Sequence, residues 1–184
     1  MITTLKLFYR VIIRNVSDIL GSLFIKNFKT SSRVVRLFKN DDLEPVLHIY
    51  RVNFGNNNSA QILKYSKLFK KIFFILELDG KISGYAGFYL HIKMVGFRLV
   101  KVATLYSIAV DPALQGKGHG TKLLMESINE MGENGVYVFN LYVNVKNEGA
   151  LSVYKKIGFR IVENMRDICG AGEDCYKMCL DVTQ

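Results

Sequence analysis

Apolar residues recur along the chain with two different periods. Successive or alternate apolar positions predict strands, and apolar positions three to four residues apart predict helices. The predicted strands are 33–39, 71–78, 81–92, 99–110, 136–145, 159–169 and 174–182, and the predicted helices are 41–52, 60–70, 121–131 and 147–158. Strands and helices alternate in the middle of the chain, with hairpins at both ends. This order predicts a mixed, partly parallel sheet with helices on both faces.

The first 29 residues have an amphipathic helical pattern. Its apolar positions are Leu5, Phe8, Ile12, Val16, Ile19 and Leu23. Arg10 and Arg14 interrupt the apolar run, which is atypical of a signal peptide. Three alternatives remain for 1–29: packing on its own domain, a homodimer contact, or peripheral membrane contact. The first two are the commoner fates and are favoured. We therefore divide the chain into an extension, 1–32, and a domain, 33–184.

Composition and charge narrow the class of protein. The 184 residues suit one globular domain, since 49% are hydrophobic and 22% charged. The net charge is +9, and residues 1–40 contribute eight Lys/Arg against one acid, Asp18. A basic N-terminal segment of this kind is typical either of a surface that binds an anionic partner or of a solvent-exposed face without a partner. The sequence carries no motif that reads DNA or RNA, so nucleic-acid binding is not predicted.

Three cysteines lie close together near the end of the chain: Cys169, Cys175 and Cys179. A low, odd count without a secretion signal favours a reducing, cytoplasmic compartment. Structural zinc usually takes four ligands and no histidine lies nearby, so no metal site is predicted. Cys169 and Cys175 flank the turn-like stretch GAGED and could face each other across a hairpin. A disulfide and free thiols therefore both remain open.

The stretch VDPALQGKGHGTKLL, 110–124, carries glycine at alternate positions: Gly116, Gly118 and Gly120. It lies between a predicted strand and a predicted helix. Backbone N–H groups at the start of a helix lack intrahelical partners and attract anions. Glycine allows a bulky anion to approach the backbone without meeting a Cβ. The spacing matches neither a Walker loop nor a dinucleotide fingerprint, but it indicates a pyrophosphate-binding loop.

Two motifs in this chain resemble those of the GNAT N-acetyltransferase superfamily. Gln115, Gly118 and Gly120 follow the pattern Gln/Arg-x-x-Gly-x-Gly/Ala of its acetyl-CoA loop. The downstream stretch NEGALSVYKKIGF resembles Asn-x-x-Ala-x-x-x-Tyr-x-x-x-Gly-Phe, with Asn147 and Tyr154 at its polar positions. The resemblance covers about residues 33–182 and is diffusely similar to the branch that acetylates protein N-termini.

The resemblance implies an α/β fold of GNAT type, in which a mixed sheet splays between its two central strands and acetyl-CoA lies in the gap. The implied cofactor-binding residues are Ile108, Ala109, Val110, Gln115, Gly116, Lys117, Gly118, His119, Gly120, Thr121 and Asn147. Tyr154 would donate a proton to the leaving thiolate. The acceptor would be a small-molecule or peptide amine.

The sequence departs from the family at the general base. The two positions where members often carry a base fall on Thr104 and Tyr142, and neither is a carboxylate or a histidine. Tyr142, Tyr106 and His91 remain candidates, with His119 disfavoured beside the phosphate. A missing strong base favours an acceptor of low pKa: a peptide N-terminus, an amino sugar or an amino acid. The alternative is an acetyl-CoA-binding sensor or assembly module without turnover.

Overall fold

The computed structural model describes residues 18–55, 59–170 and 172–183. Its strands are β1 (Val35–Leu37), β2 (Phe73–Leu78), β3 (Lys81–Val95), β4 (Arg98–Val110), β5 (Val138–Asn144), β6 (Arg160–Gly170) and β7 (Glu173–Asp181). Four longer helices join them: α1 (Leu43–Phe54), α2 (Ser59–Leu68), α3 (His119–Glu133) and α4 (Glu148–Ile157). Residues 18–24 form a further helical segment at the start of the described chain.

The strands form one sheet in the order β1-β2-β3-β4-β5-β7-β6. The β4–β5 pair is parallel, and the other described strand pairs are antiparallel. The single crossover between β4 and β5 contains α3, as parallel neighbours require. The predicted mixed, partly parallel sheet is confirmed.

Helices cover both faces of the sheet because each face carries its own apolar side chains. On one face α3 contributes Leu123, Leu124 and Met131 to a core with Phe88 and Phe139. On the other face α1 and α2 contribute Val46, Ile49 and Ile62, which pack with Phe73 and Tyr85 of the sheet. The sheet is therefore fixed on both sides around its central strands.

The two central strands separate part-way along their length. β4 and β5 pair only from Val102↔Val138 to Leu105↔Leu141. Beyond that point β4 remains paired with β3 through Val110, while β5 pairs with β7 through Asn144. The edges of β4 and β5 that face each other are thus free of ladder partners from Tyr106 and Tyr142 onward. This is the splay that the family resemblance implies.

One feature of the sheet differs from the sequence prediction. β3 continues to Val95, beyond the predicted end at residue 92, and turns directly into β4 with Val95 opposite Arg98. Gly96 supplies the positive φ, 59°, that this two-residue turn requires. The pattern missed the hairpin because residues 93–99 are largely apolar and lack an Asn-Gly or Asp-Gly turn.

Residues 18–32 pack against the sheet and α3. Asp18 is buried and pairs with Lys64 of α2, with Nζ and Oδ2 2.8 Å apart. Ile25 and Phe28 belong to the apolar core, and the Lys29 backbone exchanges hydrogen bonds with the Asn134 side chain. The buried face of this segment is not the predicted stripe, since Ile19 and Leu23 are exposed. The earlier stripe positions, Leu5 to Val16, lie outside the described residues.

Within the described residues, no helix combines the length and the apolar character that a bilayer span needs.

Candidate active site

The splay opens into a cleft of about 980 Å³. One wall is the end of β4 with the glycine loop, and the other is the end of β5 with the start of α4. Of the predicted cofactor residues, those that line the cleft are Ile108, Ala109, Val110, Gln115, Gly116, Gly118, His119, Gly120, Thr121 and Asn147. Lys117, although described, lies outside this lining, and its Nζ donates to the Ala113 carbonyl at 3.2 Å.

The glycine loop presents open backbone at the start of α3. Gly116 and Gly118 have φ of 73° and 80°, a region that favours glycine. A Cβ at either position would meet no atom within 4 Å, so the space above both is free. Gly118 caps α3 without a side-chain hydrogen bond. The first N–H groups of α3 therefore open on the cleft, an arrangement that suits an anion.

Side-chain hydrogen bonds hold the loop against α1. Gln115 Nε2 donates to Asn53 Oδ1 at 2.7 Å and to the Val110 carbonyl at 3.0 Å. Asn53 Nδ2 donates to the Ile49 carbonyl at 2.8 Å and to the Val110 carbonyl at 3.3 Å. The predicted loop glutamine thus connects the end of β4 to α1.

The second motif places two of its residues on α4. Asn147 caps the helix, because its Oδ1 accepts from the Ala150 N–H at 3.0 Å. Tyr154 lies about two turns further along, lines the cleft and packs edge-on against Phe159. Burial raises the pKa of the Tyr154 phenol to about 12. At neutral pH this side chain is a protonated hydrogen-bond donor inside the cleft.

Two tyrosines flank the point where the strands part. Tyr142 of β5 lines the cleft and is 41% exposed. Tyr106 of β4 lines it from the other side, and its buried hydroxyl has no partner among the described residues. Burial, followed by the neighbouring Tyr85 and Tyr65, raises the pKa of Tyr106 well above its usual value. A Cβ at Gly87 would lie 2.6 Å from the Tyr106 ring, so glycine is needed beneath it.

The remaining base candidates lie elsewhere. Thr104 is buried in the paired part of β4, at 2% exposure, and does not line the cleft. His91 lies four pairs further from the cleft than Gly87, opposite Val102, and is also outside the lining. Burial and the charge of Lys93 lower the pKa of His91. Neither side chain is placed to take a proton in the cleft.

Several residues that line the cleft were not predicted individually from the sequence. Asn53 and Gln61 come from α1 and α2, and Glu173 comes from the β6–β7 hairpin. Glu173 accepts a hydrogen bond from Asn144 Nδ2 at 3.0 Å. Among the described residues that line the cleft, it is the only one with a carboxylate. These residues lie far from the two motifs along the chain. A signal that could have found them is a polar residue at the end of a helix or strand that packs beside the motif strands.

A disulfide closes the β6–β7 wall of the cleft. Cys169, which lines the cleft, is bonded to the buried Cys175, with their Cα atoms 5.7 Å apart. Cys179 is free. Of the two alternatives that the sequence left open, the structure has the disulfide.

Comparison with known proteins identifies the family. The sequence profile of the acetyltransferase (GNAT) family matches residues 37–159. An N-alpha-acetyltransferase of Sulfurisphaera tokodaii is 34% identical over 146 residues, which are 74% of this chain and 86% of the relative. The chain belongs to the GNAT acetyltransferase family. It is an acetyl-CoA-dependent N-acyltransferase, as the two motifs implied.

Solved structures share the fold of this GNAT enzyme. The ribosomal-protein-S18-alanine N-acetyltransferase from Escherichia coli superposes with a TM-score of 0.64 at 25% identity, over 82% of this chain and 94% of that one. Ard1 from Thermoplasma volcanium gives a TM-score of 0.67 at 22% identity, over 82% and 97% of the two chains. The second likeness concerns the fold alone.

Proposed function

We propose that this enzyme transfers the acetyl group of acetyl-CoA to a primary amine of low pKa, with the α-amine of a peptide N-terminus as the foremost acceptor. The observation that carries the proposal is the chemistry at the splay. The titratable side chains that line the cleft there are the phenols of Tyr106 and Tyr142. His119 is the first residue of α3. Glu173 of the β6–β7 hairpin accepts a hydrogen bond from Asn144, two residues along β5 from Tyr142.

The pKa of the acceptor amine determines how much its deprotonation must be assisted by the enzyme. Attack on a thioester requires a neutral amine, and a lysine side chain of pKa about 10.4 is less than about one part in a thousand neutral at pH 7. An α-amine of pKa about 7.7–8.0 is already roughly a tenth neutral at that pH. A cleft with phenols at the splay, and with its carboxylate already hydrogen-bonded to Asn144, therefore suits an α-amine far better than lysine.

The residues of the cleft fit acetyl-CoA on structural grounds. The uncapped N–H groups of α3 and the open space above Gly116 and Gly118 suit a pyrophosphate. The free edges of β4 and β5 beyond the splay offer backbone groups to an extended arm. Bound acetyl-CoA supplies an acyl group activated as a thioester. Tyr154, held protonated by its raised pKa, donates its proton to the departing sulfur.

Other residues of the cleft lining suit the acceptor. Glu173 is exposed at the cleft wall, where a carboxylate attracts an ammonium group before it loses its proton. Gln61 and Tyr50 add uncharged polar groups from α2 and α1. The N-alpha-acetyltransferase relatives of Sulfurisphaera tokodaii and Sulfolobus acidocaldarius support a peptide α-amine among the low-pKa acceptors.

The test is an acceptor screen with purified protein and acetyl-CoA. Peptides with free N-termini, the same peptides with blocked N-termini and an internal lysine, amino sugars and amino acids are compared by thiol release. We expect release with free N-termini, loss of release in Gly118→Glu, and a lower kcat in Tyr154→Phe. Acetylation confined to lysine side chains would refute the preference for low-pKa amines. Acetyl-CoA binding by calorimetry without release on any acceptor would favour the non-catalytic module.

A further inference from the structure

The β3–β4 hairpin projects beyond the rest of the sheet. β2 pairs with β3 only as far as Gly87, and β5 first meets β4 at Val102. Residues 93–100 therefore form a two-stranded arm that pairs with no other strand among the described residues, about 10 Å long at 3.4 Å per residue. We call residues 93–100 the arm.

Large apolar side chains lie at the end of the arm and are not used by the core. Phe97 is fully exposed at the turn, Met94 is 75% exposed, and Val95 and Leu99 are mostly exposed. An isolated two-stranded ribbon gains no stability from apolar groups that face water. A contiguous exposed apolar group of this size usually marks an interaction site.

The helical residues 18–24 add a second apolar surface. Gly21 and Ile25 face the sheet, and a Cβ at Gly21 would overlap the Leu90 carbonyl oxygen. The opposite side of the helix exposes four large apolar side chains: Ile19, Leu20, Leu23 and Phe24. The same short helix thus packs through one side and leaves an entirely apolar side in water.

Both surfaces lie at the same end of the sheet. Gly21 rests on Leu90 of β3, and Phe28 packs under Lys101 of β4, with Nζ 5.1 Å from the ring centre. Leu90 and Lys101 belong to the last residue pairs of β3 and β4 before the arm begins. The segment therefore crosses the two strands at the base of the arm, whereas the cleft opens at the far end of β4.

The exposed charges along these two segments are positive, while the one acid of the helix, Asp18, is buried and paired with Lys64. Between Lys81 and Val110 the chain has four Lys/Arg and no Asp or Glu, and between residues 19 and 39 it has five Lys/Arg and no Asp or Glu. Lys26, Lys29, Lys93 and Arg98 are exposed, and no ion pair joins any of them to a described carboxylate. The exposed apolar side chains are thus accompanied by free positive charge.

We infer that the arm and the exposed side of helix 18–24 dock the enzyme on an anionic lipid surface. Phe97, Met94, Leu20 and Leu23 enter the boundary between headgroups and acyl chains, and the neighbouring lysines and arginines meet lipid phosphates. A bilayer offers both the negative charge and the apolar layer that these surfaces match.

Other occupants match the two surfaces less well. A two-fold contact with a second copy would bring the same patch against itself and place like charges together. A nucleic acid duplex offers the negative charge without an apolar layer for four protruding side chains of the arm. Charge and apolar exposure together therefore favour a membrane over either.

Vesicle co-sedimentation of the full chain tests this docking. The probes are phosphatidylcholine vesicles with and without phosphatidylglycerol. We expect binding to the anionic vesicles only, weakened by added salt. Phe97→Ser with Leu99→Ser, and separately Leu20→Ser with Leu23→Ser, should each weaken binding about tenfold or more. Val162→Ser removes an exposed apolar side chain of β6 and is the matched control, expected to bind as the parent does.

Three results would overturn the inference. The first is absence of binding to anionic vesicles by a protein that still binds acetyl-CoA in calorimetry. The second is unchanged binding in both double variants, which would assign lipid contact to another part of the chain. The third is a dimer in light scattering that the Phe97→Ser, Leu99→Ser variant dissociates, with no vesicle binding by the parent. That result would assign the arm to contact between copies.

Discussion

Gln115 Nε2 donates a hydrogen bond to Asn53 Oδ1 at 2.7 Å, which ties the glycine loop to α1 across the mouth of the cleft. Both amides also donate to the Val110 carbonyl, at 3.0 Å from Gln115 and 3.3 Å from Asn53. The glycine loop at the start of α3 is therefore positioned by a residue of α1. The loop and α1 are connected through one pair of side chains.

Substitution at Asn53 should loosen this connection. Asn53→Leu keeps the shape but leaves Gln115 with one acceptor, and the free energy of unfolding should fall by about 1 kcal/mol. Acetyl-CoA affinity should fall several-fold in calorimetry, because the loop is less well held. Equal affinities in Asn53→Leu and the parent would show that the loop needs no support from α1.

A side chain at Gly118 should block the anion site. Gly118→Glu places a carboxylate where the N–H groups of α3 are open, so acetyl-CoA affinity should fall more than about tenfold. Gly80→Glu is the matched control, since Gly80 has φ of 73° and equally open surroundings but lies in the β2–β3 turn. Both variants should lose about 1–2 kcal/mol of stability from the strained backbone. Similar affinity loss in both would assign the effect to stability alone.

The buried phenol of Tyr154 should make the fold sensitive to high pH. Its pKa of about 12 exceeds the value of about 10 in an unfolded chain. The contribution to stability is complete below pH 10 and is lost as the pH rises through 12. Urea unfolding between these pH values should therefore show a shallower decline in Tyr154→Phe than in the parent. Parallel declines would contradict the assignment, and Tyr137→Phe, at an exposed tyrosine, serves as control.

Glycine at position 87 should be required by Tyr106. Gly87→Ala places a Cβ 2.6 Å from the Tyr106 Cζ and hydroxyl oxygen, and should cost about 1–3 kcal/mol in chemical unfolding. In a Tyr106→Leu background the same substitution should cost less, because the crowding atoms are gone. A double-mutant cycle measures this coupling. Additive effects of the two substitutions would contradict the contact.

The disulfide should protect two of the cysteines from alkylation. Under denaturing conditions without reductant, mass spectrometry should find Cys179 labelled and Cys169 and Cys175 unlabelled. After reduction all three cysteines of the chain should be labelled. Labelling of all three without reductant would show that the hairpin is not cross-linked.

Local sequence patterns predicted much of this fold. The strand, glycine loop and helix around Gly118 each have a local physical cause, so their order could be predicted. The mixed sheet followed from alternating elements, and both signals need only neighbouring residues to be interpreted. The splay was implied by the resemblance of the two motifs to the family.

Other features depend on contacts between distant parts of the chain. Asn53 and Gln115 are hydrogen-bonded although 62 residues separate them in the sequence, and no local pattern around either residue predicts the contact. Helix 18–24 packs through Asp18 and Gly21, which a hydrophobic pattern does not count as core. The arm was missed because exposed apolar residues, such as Met94 and Phe97, look like strand core in a sequence.

The length of β4 sets a distance that an acceptor must cover. Nine residues separate the tip at Phe97 from Tyr106 at the splay, roughly 30 Å of extended strand. If the arm rests on a bilayer, the chemistry takes place that far into the aqueous phase. An acceptor embedded in the same membrane would then be modified only if about nine or more extended residues separate its amino group from the lipid. The enzyme would therefore select membrane-bound acceptors by the length of the segment that they expose to water.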